Sequence, residues 1–447
     1  MTTLWQRAGT IGANTPHERN RYVDLLRAAS ITVVVIGHWL MAAPEVTPSG
    51  DLRAGHVLAD LPWTQWLTWV FQVMPIFFVV GGYSNAASWR SARAKGDGYG
   101  PWLHARLRRL VLPVLALLAV WTVVAVVAIT AGLDPELVKI GSQTALVPVW
   151  FLAVYVLVAA LAPAALAAWE RFGWASVLAF GVAAVATDVV SIAIDNDPVG
   201  FLNYLFIWGG VHQLGFAWRD GRLTGAARTL PLAGVGLGAL VVLVTVFDYP
   251  VSMVGVPGAD VNNTLPPRIP LFALGLLQTG VLLALEAPAR RLLERGPVWT
   301  ATVLINSMIM TIYLWHLTAM IAVLGVSLVF DGAGLRMEAG SGIWWATRPL
   351  WLALMVVVVA PFIAGFNRFE RPKGDITPPP VWRGVTAVVL VCAGLGSLAF
   401  FGVGDQQGVN WEYLALPFAG ALVGGVVGIH GAQRRTHNAE HPNPPPT

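Results

Sequence analysis

The chain has 447 residues, 56% of them hydrophobic and only 12% charged, with a formal net charge of +4 and a mean hydropathy of +0.65. Soluble domains carry about 25% charged residues, so the composition excludes a soluble globular protein and indicates an all-α polytopic membrane protein. The small net charge, borne by basic residues beside apolar runs, argues against a nucleic-acid partner, and a single cysteine, Cys392, excludes any intrachain disulfide or cysteine-based metal framework.

In chain order, residues 1–22 are polar and read as a cytoplasmic N-terminal segment. The run that follows is not a cleavable signal peptide, because Arg27 and His38 interrupt its apolar part. A span needs roughly 20 mostly apolar residues. Twelve candidate runs follow, at about 28–43, 64–88, 107–131, 146–168, 174–194, 201–218, 229–247, 269–287, 299–328, 346–366, 384–402 and 412–430. The run 299–328 is long, so it is strongly tilted, broken near Asn306-Ser307, or extended beyond the bilayer. Outer loops at 44–63, 132–145, 248–268 and 329–345 are rich in Pro, Gly, Asp and Asn, and four prolines make 248–268 a candidate lid. A Pro-containing cytoplasmic linker, 367–383, separates a ten-helix unit, 23–366, from two further helices, 384–430. The polar tail 431–447 reads as disordered and cytoplasmic.

With the N-terminus inside, 23 of the 28 Lys and Arg residues fall in inner segments and 5 in outer ones. This follows the positive-inside rule and predicts an even number of spans with both termini cytoplasmic. Arginine far outnumbers lysine (only Lys95, Lys139 and Lys373), and Ala, Val and Gly abound, which suits a GC-rich bacterial genome; a multi-pass chain of such an organism is expected in its cytoplasmic membrane. Trp residues gather at span ends, among them Trp63, Trp66, Trp69, Trp344 and Trp345, as interface anchors do.

The first run, "DLLRAASITVVVIGHWL", holds Asp24, Arg27 and His38. Ionisable groups at membrane depth are costly and mark functional sites by default. Eleven residues of helix place Arg27 and His38 about 20° apart around the axis and about 16 Å apart along it. Asp24 lies nearly on the same face, three residues before Arg27. One helix face thus offers a charge pair at the inner surface and an imidazole suited to moving a proton deeper in. Taken singly, Arg27 also fits a snorkelling anchor and His38 an interhelical hydrogen bond.

Other polar groups fall inside spans: His212 and Gln213 in helix six, Tyr313 and His316 in helix nine, and Asp188 in helix five. The three imidazoles line one cavity or make three separate interhelical bonds. Asp188 calls for a partner, a histidine or an arginine from another helix being the natural one. No metal site is expected, since the ligands are too few and too loosely spaced.

Five segments together carry a resemblance. "DLLRAASITVVVIGHWL" is similar to the first helix of the acyltransferase-3 family of membrane proteins, marked by Arg, ten residues, then His. "FFVVGGYSN" (77–85) resembles that family's Phe-Phe-Val-Leu-Ser-Gly segment, with Gly81 where Ser is common. "RLRR" (106–109) resembles its Arg-x-x-Arg motif, "VWFLAVY" (149–155) its Trp-Phe-Leu segment, and "YLWHL" (313–317) its Tyr-Leu-Trp-His element. The resemblance covers about 21–366 and leaves the last two helices outside.

It implies a membrane O-acyltransferase moving an acyl group, commonly acetyl, from cytoplasmic acyl-CoA to a hydroxyl of a cell-envelope glycan, glycolipid or small molecule. Acyl-CoA is then a donor substrate, with no permanently bound cofactor. His38 is implied as general base or acyl carrier, with Arg27 and Asp24 shaping the inner mouth. Arg106 and Arg109, one turn apart, suit the CoA phosphates because guanidinium groups grip phosphate bidentately. Basic residues also flank most inner helix ends, so topology alone accounts for "RLRR" equally well. Twelve spans suit a transporter or exporter too, but such carriers usually show internal repeats and broken helices in symmetric positions, and no repeat is evident.

Overall fold

In the computed structural model, residues 3–16, 19–47, 52–194, 197–371 and 376–427 are described. The tail 431–447 and residues 372–375 of the linker, expected to be irregular, lie outside the described residues. The chain is mostly helical. Its helices are α1 (Leu4–Ala13), α2 (Arg21–Met41), α3 (Val57–Asp60), α4 (Thr68–Phe71), α5 (Met74–Ala94), α6 (Tyr99–Thr130), α7 (Pro135–Phe172), α8 (Trp174–Ala193) and α9 (Asp197–Gly200). They continue with α10 (Asn203–Arg219), α11 (Ala226–Thr245), α12 (Pro270–Ala284), α13 (Glu286–Leu293), α14 (Gly296–Asn306), α15 (Ile309–Val329), α16 (Gly342–Phe366), α17 (Val381–Phe401) and α18 (Trp411–Val423). Two antiparallel hairpins complete it: β1 (Ala42–Val46) with β2 (Leu52–His56), and β3 (Gly404–Asp405) with β4 (Gly408–Val409).

Among the described residues nine helices are long and apolar enough to cross a membrane, or ten if α12 and α13, bent by 55°, count as one span. Two of the twelve expected spans are shorter: α10 has 17 residues and α18 has 13. Other boundaries also move. The expected outer loop 132–145 is mostly helix, because Asp134 caps α7 by accepting the Glu136 N–H and Pro135 fits the first helical position. The expected span 64–88 breaks at Gln72-Val73, before α5. Of the three readings for 299–328, the break is the one found: α14 ends at Asn306 and α15 begins at Ile309.

Two ends of the bundle can be told apart by their ties. At one, the basic end, Arg90 at the end of α5 reaches Glu170 of α7 and Asp220 after α10, and Arg290 of α13 donates to Asn20 before α2. At the other, the hairpin end, the Val46 N–H of β1 donates to the carbonyl of Leu335, and Met253 N–H donates to Thr68. The segment read as a loop at 44–63 thus contains β1–β2 and part of a cap over the bundle. Close helix approach fixes the interior: a Cβ at Gly215 of α10 would lie 2.1 Å from the Val79 carbonyl oxygen of α5, and one at Gly82 would lie 1.9 Å from that of His212. Small residues at such crossings let membrane helices pack backbone to backbone. The last two helices pack on each other and against α6 and α7. Arg383 donates to the Val423 carbonyl at 2.8 Å, and Val403 N–H donates to Ser142 of α7 at 3.0 Å.

Candidate functional site

The site is built on α2. Asn20 caps the helix by accepting the Tyr22 N–H, and Asp24 lies buried in its first turn. An anion there is favoured by the helix dipole. Arg19 grips the Asp24 carboxylate with two bonds, 2.6 and 3.0 Å, and Arg27 lies 3.5 Å away. The bonds that it donates to Asp24 are the main reason the Arg19 pKa is raised above its ordinary value. Arg27 turns its other nitrogen to Ser84 of α5 at 2.9 Å. The expected Asp24–Arg27 pair therefore forms, and Arg19 is a partner that the spacing did not suggest.

Arg27 does not stand alone. The Arg106 guanidinium of α6 lies over Trp102, 3.7 Å from the ring centre, and donates to Asn85 at 3.2 Å and to Ser88. Arg109 is exposed one turn on, within electrostatic reach of both Arg27 and Arg106. Tyr155, from "VWFLAVY", lies within reach of the same two guanidiniums. A Cβ at Gly81 would lie 2.7 Å from the Tyr155 ring, which is a reason for glycine where serine is common in the resembling segment. Arg27 of α2 and Arg106 of α6 thus each reach a serine of α5, with the exposed Arg109 within electrostatic reach of both. Such an array suits a phosphate-rich ligand.

His38 lies in the last turn of α2. Its Nδ1 is 2.8 Å from Nε2 of His316 on α15, and the two rings are parallel with centres 5.1 Å apart. The Nδ1 of His316 faces the Tyr313 carbonyl at 2.6 Å, and Trp39 Nε1 donates to the His316 carbonyl at 3.0 Å. A carbonyl only accepts, so His316 Nδ1 carries the proton and, in the neutral ring, Nε2 is the acceptor. His38 must then donate from Nδ1. Its Nε2 is left as a bare lone pair, the state a general base needs. His38 ends its helix three residues later, whereas α15 runs thirteen residues past His316, about 20 Å of further helix. The pair is therefore overhung by the cap at the hairpin end.

The other expected cavity residues separate. His212 does not join the pair: it is buried on α10, accepts from Asn85 Nδ2 at 3.1 Å, and through Asn85 buttresses Arg106. Gln213 accepts from Ser176 of α8 at 2.7 Å. Tyr313 donates to the Pro148 carbonyl of α7 at 2.9 Å, a bond that positions α15. Asp188 meets no histidine among the described residues, and the arginine within its electrostatic reach, Arg268, makes no ion pair with it and lies on the segment before α12 rather than on another helix. Asp188 accepts from Asn203 at 2.7 Å, Tyr249 at 3.2 Å and the Ile269 N–H at 2.7 Å. Three neutral donors satisfy a buried carboxylate without an ion pair, and they pin 249–269 to α8 and α10. Missed altogether was Glu370, which accepts the Thr311 N–H at 2.5 Å at the start of α15 and lies within electrostatic reach of Arg109. Among the described residues no group of three or more His, Cys, Asp or Glu side chains is placed to hold a metal.

No curated protein and no solved structure matches the chain. The family model for the acyltransferase-3 domain, described as "Acyltransferase domain", matches residues 20–367. That stretch contains Arg27, His38, Arg106, Arg109 and His316 and covers most of the chain, which therefore belongs to the acyltransferase-3 family of multi-pass membrane acyltransferases.

Proposed function

We propose that this protein is an O-acyltransferase of the bacterial cytoplasmic membrane, taking an acyl group, acetyl by expectation, from cytoplasmic acyl-CoA and passing it to a hydroxyl of a cell-envelope glycan, glycolipid or small molecule. The basic end faces the cytoplasm and the chain crosses twelve times. One observation carries the reading. His38 Nδ1 lies 2.8 Å from Nε2 of His316, whose own Nδ1 faces a carbonyl, which in the neutral pair leaves His38 Nε2 to take a proton, on the same helix face as Arg27 and about 16 Å from it.

In this reading Arg27, Arg106 and Arg109 hold the CoA phosphates, and Asp24 keeps Arg27 extended toward Ser84. The pantetheine arm then runs along α2 and presents its thioester near His38. The acceptor O–H gives its proton to His38 Nε2 as its oxygen attacks the thioester carbon. The C–S bond breaks, and the CoA thiolate recovers that proton from His38. His316 stabilises the transient imidazolium by accepting from its Nδ1–H. An acyl group carried briefly on His38 Nε2 uses the same free lone pair.

The test uses purified protein, radiolabelled acetyl-CoA and CoA release. His38→Ala and His38→Gln should both lose activity by more than about 100-fold, since general acid–base catalysis contributes about 10²–10⁴-fold. Both should bind acetyl-CoA as the parent does. An active His38→Gln enzyme would refute the assignment, because glutamine keeps a hydrogen bond but takes no proton at neutral pH.

A further inference from the structure

Arg348 is a largely buried cation with no role in the proposed reaction. It lies seven residues into α16 with 9% of its surface exposed. Its Nε donates to the Trp344 carbonyl at 3.1 Å, and its guanidinium lies over two rings, 4.1 Å from the centre of Trp344 and 5.4 Å from that of Trp351. Among the described residues no carboxylate lies within ion-pair distance. A guanidinium this buried without an anion is costly, and the two rings offset only part of that cost. Arg348 lines a narrow cleft of about 10 Å³, whose other walls include Ala43, Pro44, Met337, Trp344 and Trp351.

The cleft adjoins the His38 pair. Trp351 Nε1 donates to the Trp39 carbonyl at 2.8 Å, so the wall of the cleft is bonded to the residue next to His38. Ala43 is five residues from His38 along α2 and β1, about 9 Å of chain. The cleft lies at the hairpin end, opposite the three guanidiniums assigned to CoA.

We propose that this cleft is the anion-binding half of the acceptor site, and that the acceptor carries a carboxylate or phosphate about a sugar's length from the hydroxyl acylated, as in a uronic acid or a sugar phosphate. The proposal rests on the acyltransferase reading for the word acceptor, but the binding itself does not need acyl-CoA. Arg348 supplies the charge, and the tryptophans fix the plane of its fork so that two parallel N–H groups meet the anion.

Calorimetric titration of the purified chain in phospholipid-free detergent tests it, with D-glucuronate, glucose 1-phosphate and glucose as probes. The two anionic sugars should bind saturably and glucose should not. Arg348→Gln should weaken both at least tenfold, and Arg348→Lys should restore part of the loss. Met337→Glu, which sets a carboxylate across the cleft and leaves Arg348 in place, should match the Gln variant, so the test stands even if that variant fails to fold. Unchanged affinity in Arg348→Gln or Met337→Glu, glucose binding as well as glucuronate, or no binding of either anionic sugar overturns the proposal. So does displacement of both sugars by phosphatidylglycerol vesicles, which would make the cleft a lipid headgroup site. Loss of CoA release with anion binding intact would sink the acyltransferase reading alone.

Discussion

His316 has one ring nitrogen committed to its own helix and offers the other to His38. That makes it a positioning residue with a consequence for rate. Replacing it with leucine leaves the His38 Nδ1–H buried without a partner, at a cost of about 1–3 kcal/mol, and frees His38 to adopt the other tautomer. His316→Leu should lower kcat by about 100-fold with little change in KM for acetyl-CoA. His316→Gln, whose carbonyl still accepts from Nδ1, should recover a good part of kcat while binding the donor as before. Steady-state kinetics of the two variants decide it: equal loss in both would mean His316 takes up the proton itself, and no loss in either would remove it from the site. At this scale the sequence was informative where chemistry runs along one helix. Arg27 and His38 are a spacing, and spacing converts directly to geometry. Their partners were not legible in the same way. His316 lies 278 residues from His38, and only the packing of α15 on α2 decides which of the other two histidines, His212 or His316, meets it. Arg19 went unmarked because it precedes the apolar run.

The β1–β2 hairpin carries a pH-sensitive contact at the scale of an element. His56 caps α3 by accepting the Leu58 N–H on Nδ1 at 3.3 Å, and its own N–H donates to Asp60. Burial lowers the His56 pKa below the ordinary 6.5, while Asp60 opposes that shift. Asp60 is itself held by Arg53, which also reaches Glu45 across the hairpin. The folded state therefore prefers neutral His56. Its contribution is complete above about pH 6.5 and is lost as the pH falls below that value, where the unfolded segment takes up a proton and the folded one resists. Hydrogen exchange across residues 42–60 should be faster, relative to the intrinsic rate, at pH 5 than at pH 8, and His56→Asn should flatten that difference. Equal protection at both pH values would show that the cap does not titrate. Elements like this one were poorly legible in advance. Pro44, Gly55 and Pro62 marked 44–63 as a loop, whereas the pairing of β1 with β2 is set by the roof it forms with Leu335. The break before α15 was readable as one of three options because Asn306 and Ser307 bond locally to backbone. The choice among them was not, since Glu370, which caps the new helix start, lies 59 residues away.

For the whole molecule, the 23-to-5 distribution of Lys and Arg and the pattern of ties point the same way. Arg90 joins the ends of α5 and α7 to the turn after α10, and Arg290 joins α13 to the start of α2, so these segments share one face of the bundle. Trp69 and Gln72 bond to Val251 and Met253, and Val46 bonds to Leu335, which gathers the hairpin, 248–268 and the 331–340 turn at the opposite face. The start of α17 meets the end of α18 through Arg383, and His104 meets Gly424, so the chain returns to the basic end after its last helix. In the proposed topology that return corresponds to an even number of crossings, and the charge rule assigns the basic end to the cytoplasm. Cysteine labelling separates the two faces. In a Cys392→Ala background, Ala94→Cys and Ala259→Cys sit at exposed positions of the basic end and of 248–268 respectively. A membrane-impermeant maleimide added to intact cells should label Ala259→Cys alone, and added to inverted vesicles it should label Ala94→Cys alone. Labelling of both from one side would break the assignment of the two faces. The reverse pattern would place the arginines of α2 and α6 away from cytoplasmic acyl-CoA, and the donor would then have to reach His38 from the hairpin end.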